Sequence, residues 1–219
     1  MQAARHIFFD LDGTLTDSCA GIIRCVNHAL AELGCAEETD DRLRGMIGQP
    51  LTAIFGAIMP AADDERVDRA IASYRVRFDD VGMLENALYP GVPEALQQLR
   101  ESGRRLRVVT AKPAITAARV LSHFQIDRYF DAVHGPELTD RGCDKAALLG
   151  RALTEIGNGW LADACVMVGD RVDDMLAAKA HGVAAIGAGW GYGSRQELID
   201  AGAMHVAADV GQLLAYLLE

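Results

Sequence analysis

From residue 92 onward the chain alternates short, solidly apolar runs with longer amphipathic stretches. The apolar runs fall at 106–110, 130–133, 165–168, 183–186 and 205–207. Helical spacing occupies 93–102, 113–124, 144–156, 173–181, 195–201 and 209–218. Strands that are apolar throughout and separated by helices predict a parallel sheet covered on both faces. A further apolar strand at 7–9 stands apart from these. The segment after it reads as helix only: 17–33, with Ile22, Ile23, Val26, Ala29, Leu30 and Leu33 in one stripe; shorter pieces around 39–46 and from Pro50; and 63–81, with Val67, Ala70, Ile71, Tyr74, Phe78 and Val81 at helical spacing. Nothing between 16 and 86 alternates like a strand. The expected architecture is an α/β core of residues 1–15 and 88–219, with residues 16–87 inserted as an all-helical domain.

The first strand ends in Asp10-Leu11-Asp12-Gly13-Thr14. Side chains at i and i+2 of an extended chain point the same way, so Asp10 and Asp12 can face one ligand. Such a pair suits one carboxylate for attack or metal binding and the other for proton transfer. Gly13 permits a tight turn, and the Thr14 hydroxyl can fix the carboxylates. In open parallel sheets, ligands gather beyond the C-terminal strand ends. Those ends supply Thr110-Ala111-Lys112 and Gly169-Asp170, with Asp173 and Asp174 just beyond, while Lys145 opens the preceding helix. Taken singly, Thr110 is as well explained by helix capping, Lys145 by solvation and the acidic run by a strand-to-helix turn. Together they form an oxygen-only carboxylate cluster suited to Mg²⁺, with a hydroxyl and a lysine to hold phosphate.

Composition narrows the partners. A net charge of −10, with no basic stripe, argues against nucleic acid. No apolar run approaches the roughly 20 residues of a bilayer span, and the first strand starts too early to leave room for a signal peptide. Five scattered cysteines without a C-x-x-C pair indicate reduced thiols and a cytoplasmic setting. Eighteen arginines stand against three lysines, Lys112, Lys145 and Lys179, so each lysine calls for a reason.

The four motifs, Asp10-Leu11-Asp12-Gly13-Thr14, Val108-Val109-Thr110, Lys145 and Gly169-Asp170-Arg171-Val172-Asp173-Asp174, span nearly the whole chain in an order that resembles the haloacid dehalogenase-like hydrolase superfamily. The resemblance implies a Rossmann-like core, an inserted helical cap, and Mg²⁺-dependent phosphoryl transfer through an aspartyl-phosphate. It implies Asp10 as nucleophile and Asp12 as general acid/base. Mg²⁺ would be held by Asp10, the Asp12 backbone carbonyl and Asp170, with Asp174 supporting its waters, and phosphoryl oxygens by Thr110 and Lys145. Phe8-Phe9-Asp10-Leu11-Asp12-Gly13-Thr14-Leu15-Thr16-Asp17-Ser18, Tyr89-Pro90-Gly91-Val92, Thr110-Ala111-Lys112-Pro113 and Trp190-Gly191-Tyr192-Gly193-Ser194 are similar to the phosphoglycolate phosphatase-like branch, although relatives often carry serine or asparagine at the place of Ala111.

Within that resemblance, Asp12 argues against dehalogenation. The absence of any lysine from 15–90 argues against a cap Schiff base. The expected activity is hydrolysis of a small phosphorylated metabolite, phosphoglycolate or a nucleoside 5′-monophosphate, by a monomer or homodimer. A sugar phosphomutase and a non-catalytic phosphate-binding regulatory protein are the alternatives. Arg24, on the first helix of the insertion, is a candidate contact for a substrate anion. The glycine run 187–193 lacks dinucleotide-loop spacing and reads as a flexible loop at the rim of the site.

Overall fold

The computed structural model describes residues 4–157 and 162–219. Six parallel strands form one sheet in the order β5-β4-β1-β6-β7-β8: β1 (His6–Phe9), β4 (Arg105–Val109), β5 (Phe130–His134), β6 (Cys165–Gly169), β7 (Ala184–Ala188) and β8 (His205–Ala207). On one face, Ile7 and Phe9 pack with α5 (Val92–Glu101), α6 (Ala114–His123) and α10 (Val210–Leu218). On the other, Phe8 packs with α7 (Lys145–Glu155), α8 (Val172–Ala180) and α9 (Arg195–Asp200). Successive residues from Ile7 to Phe9 thus enter opposite cores, which is why all three are apolar. The result is an α/β, Rossmann-like sheet.

Register aligns the functional ends. Phe9 pairs with both Val108 of β4 and Val168 of β6. Asp10 therefore lies one residue past this paired row, and Thr110 and Asp170 lie two past it on the flanking strands. The chain builds β4 and β5 on one side of β1, then β6, β7 and β8 on the other, so the ends converge where the winding reverses.

Between β1 and α5 lie α1 (Cys19–Glu32), α2 (Asp40–Met46), α3 (Leu51–Ile58) and α4 (Asp64–Arg77). They bury a core of their own, including Ile22, Val26, Leu30, Phe55, Val67 and Tyr74. The helix expected to run to residue 81 closes at Arg77. It continues as a wider turn, Phe78–Gly82, in which the Met83 N–H donates to the Phe78 carbonyl. Close packing accompanies this turn: a Cβ at Gly82 would lie 2.4 Å from Cys25 Sγ. The two chain crossings pair as β2 (Thr16–Asp17) and β3 (Ala87–Leu88), antiparallel. Two residues are too few to display a strand period in the sequence.

Phe55 is fully buried and meets the Tyr74 ring edge to face at 6.4 Å. Phe55→Ala should lower stability by about 3–5 kcal/mol. Urea unfolding measures this, and a loss below about 1 kcal/mol would show that the helical core can close over the gap.

Candidate active site

A short turn carries Asp10 out of β1. The Leu11 carbonyl accepts hydrogen bonds from the N–H groups of Thr14, Leu15 and Thr16, and the Gly13 N–H donates to the Thr16 carbonyl. Gly13 has φ +86°, and a Cβ there would lie 2.2 Å from Asp170 Oδ2, so both conformation and space require glycine. This close approach lets the Thr14 hydroxyl donate to Asp170 Oδ1 at 3.0 Å. The Tyr192 N–H donates to Asp170 Oδ2 at 2.9 Å.

Asp10, Asp170 and Asp174 are all buried, and each offers a carboxylate oxygen within 4.8 Å of the others. Lys145 Nζ joins two of them, at 2.8 Å from Asp10 Oδ2 and 2.6 Å from Asp174 Oδ1. The other Asp174 oxygen accepts from the Arg171 N–H, which settles α8 on the carboxylate. Asp174 thus stands within the carboxylate cluster.

Burial disfavours the Lys145 charge, but the adjoining Asp10 and Asp174 carboxylates outweigh it and hold the ammonium protonated well above the usual lysine range. One cation cannot balance three carboxylates. Desolvation, then the charges of Asp10 and Asp174, push Asp170 up to about 8. Desolvation likewise raises Asp174, with Lys145 opposing.

Above the cluster, between sheet and helical block, opens a cavity of about 640 Å³. Asp10, Asp12 and Thr110 lie at its floor; Ile22, Ile54, Ile71, Tyr74 and Phe78 contribute apolar and aromatic wall. Thr110 is buried, with its hydroxyl accepting from the Lys112 N–H at 3.3 Å. Lys145 faces a separate, neighbouring cavity of about 300 Å³. The Asp12 side chain turns from the three-carboxylate cluster to Lys112, whose Nζ is 2.5 Å from Oδ2. Lys112 is therefore a component that sequence reasoning left outside the site. Its rarity and its place two residues after Thr110 were the available signals.

Two expectations change. Arg24 does not line the cavity: its side chain is 60% exposed and pairs with Glu85 at 2.9 Å, on the side where the chain crosses back to the core. The glycine run is packed against Asp170. A Cβ at Gly191 would lie 2.2 Å from Asp170 Cβ, and one at Gly193 would lie 2.1 Å from the Asp170 carbonyl oxygen. Tyr192 also ties the run to the crossing, accepting from the Ser18 N–H and donating to Asp17 Oδ1.

Comparison with known proteins places this geometry in a family. The haloacid dehalogenase-like hydrolase profile matches residues 7–188. A 5′-nucleotidase of Pseudomonas aeruginosa is 41% identical over 208 residues, 95% of this chain and 93% of that protein. A tyrosine-protein kinase of Mycobacterium tuberculosis is 37% identical over 91% of this chain, which spans 66% of that longer protein. Among solved structures, a predicted phosphatase from Clostridium acetobutylicum superposes with a TM-score of 0.91 at 33% identity, covering 99% of both chains. Among the described residues, no helix is long and apolar enough to cross a membrane. With the carboxylate cluster at the strand ends and these relatives spanning nearly its full length, the chain belongs to the haloacid dehalogenase-like hydrolase family.

Proposed function

We propose that this hydrolase is a Mg²⁺-dependent phosphomonoesterase working through an aspartyl-phosphate on Asp10. The observation that carries the reading is the set of three buried carboxylates, two of them bridged by one lysine. Its donors are all oxygen, and two negative charges remain uncompensated, which fits a divalent, oxygen-preferring cation. Asp10, Asp170 and the Asp12 backbone carbonyl would hold the ion, with Asp174 beside them. Bound there, Mg²⁺ would supply charge neutralisation for the phosphoryl oxygens.

The protein's own groups divide the remaining work. Asp10 attacks phosphorus while Asp12 gives a proton to the departing ester oxygen, and the alcohol leaves. Asp12, now a carboxylate, takes a proton from the water that attacks the phosphorus of the acyl-phosphate, releasing phosphate and restoring Asp10. Thr110 and Lys145 would bind the phosphoryl oxygens, and the helical block would act as a cap that limits water to the attacking molecule.

The cavity favours an uncharged leaving group with an apolar or planar face, as a nucleoside has, over a second carboxylate, as in phosphoglycolate. Its arginines are already engaged: Arg119 with Asp79, Arg141 with Asp64 and Asp68, and Arg75 with the Leu138 carbonyl. The 5′-nucleotidase relative supports the same preference. Transfer to a protein tyrosine, suggested by the mycobacterial relative's name, would need an acceptor to pass the mouth that these arginines tie across.

Phosphate release from an ester panel should require Mg²⁺, stop with EDTA and fall at least about a thousandfold in Asp10→Asn. Full activity in that variant would remove the aspartyl-phosphate. In the same panel, kcat/KM for a nucleoside 5′-monophosphate should exceed that for phosphoglycolate by about tenfold or more, roughly 1.4 kcal/mol. The reverse order would assign the cavity to the acid.

Stability should follow the carboxylates. In metal-free protein Asp170 is protonated up to about 8 when folded and only to about 3.8 when unfolded. The folded state therefore binds more protons between those values, and this group's contribution to stability falls as pH rises through them. Mg²⁺ needs the ionised carboxylates, so it should raise Tm more at pH 8 than at pH 5.5 in thermal melts. An equal rise at both would disconnect the ion from this cluster.

A further inference from the structure

Lys112 joins the core to the helical block at the proton-transfer group. Its side chain is 8% exposed, with Nζ 2.5 Å from Asp12 Oδ2 and 5.0 Å from the centre of the Phe78 ring. The other Asp12 oxygen is buried and has no hydrogen-bond partner among the described residues, so this ammonium is the contact that orients the carboxyl. The Lys112 backbone is itself held: its N–H donates to Thr110 Oγ1, and Gly135 comes so close that a Cβ there would lie 2.4 Å from the Lys112 carbonyl oxygen.

Phe78 belongs to the other body. It stacks on Tyr74 at 5.8 Å and is part of the helical core, so it travels with that block. The next residue, Asp79, pairs with Arg119 of α6, at the other end of the same approach. Of the protein's three lysines, the two that are buried or nearly so are the two set on Asp10 and Asp12, where a compact ammonium fits a narrow space better than a guanidinium.

We propose that Lys112 is a positioning residue that sets the Asp12 carboxyl for proton transfer, and that it holds this position only while Phe78 of the helical block lies over it. The role rests on the phosphomonoesterase reading and adds to it a physical link between closure and acid/base competence. Charge-assisted contact fixes Asp12, and the aromatic face fixes the ammonium.

The test uses Mg²⁺-loaded enzyme and the best ester of the panel, comparing wild type, Lys112→Met, Lys112→Arg, Phe78→Leu, Asp12→Asn and the double variants. Lys112→Met should lower kcat by about 10- to 100-fold, part of the 10²–10⁴ typical of acid/base catalysis, with KM within about twofold. Lys112→Arg should recover part of the loss. Phe78→Leu should also lower kcat, and its combination with Lys112→Met should be no slower than Lys112→Met alone. Added to Asp12→Asn, Lys112→Met should change nothing. A loss confined to KM, additive Phe78 and Lys112 effects, or an undiminished Lys112 effect without Asp12 would overturn the role.

Reductive methylation with ¹³C-formaldehyde gives a readout apart from activity. Exposed Lys179 should label first, while Lys112 stays protected in wild type and becomes reactive in Phe78→Leu. Equal labelling of Lys112 and Lys179 in wild type would show that the cover does not persist in solution and overturn the proposal. A wild type that releases no phosphate from any ester would end the phosphomonoesterase reading and this role with it. Turnover unaffected by Lys112→Met would end this role alone.

Discussion

The contact on which the site depends is the bridge from Lys145 to Asp10 and Asp174. Three buried carboxylates each offer an oxygen within 4.8 Å of the others, and burial disfavours each unpaired charge. The lysine offsets part of that. Burial, and after it the charges of Asp10 and Asp174, raise the affinity of Asp170 for its proton. The surrounding backbone is fitted to the cluster: Gly13, Gly191 and Gly193 press against Asp170, and Gly169 leaves room for Asp174. The price of this arrangement is glycine where side chains would otherwise strengthen a strand end or a loop.

The second constraint is the seam between sheet and helical block. The block has its own apolar core, and the bonds that cross the cavity mouth are polar and peripheral: Arg119 to Asp79, Arg141 to Asp64 and Asp68, Arg75 to the Leu138 carbonyl. Exposed pairs of this kind each contribute little. Lys112 under Phe78 lies deeper on the same seam, paired with Asp12.

The placement of Asp10, Thr110 and Asp170 was legible because they end strands, and period-2 or solidly apolar runs are strong sequence signals. Lys145 was legible from its helix start. Arg24 was misplaced because helical spacing gives a face but not the partner on it, and Glu85, sixty-one residues away, claims that side chain. The run 187–193 resembled a mobile loop since glycine alone does not tell conformational freedom from close packing. Here Asp170 fills the space beside Gly191 and Gly193, and Ala207 that beside Gly189.

By itself the amino-acid sequence determined the parallel α/β sheet, the helical insertion and the carboxylates at the strand ends. These follow from local periodicity and from register, which place residues at the same edge regardless of how the two bodies meet. Tertiary structure alone decided which oxygen each cation reaches, that Lys145 bridges Asp10 and Asp174, and that Lys112 reaches Asp12 while Arg24 pairs with Glu85. Those outcomes depend on contacts between segments far apart in the chain, where a shift of a few ångströms exchanges one partner for another and no spacing rule records the difference.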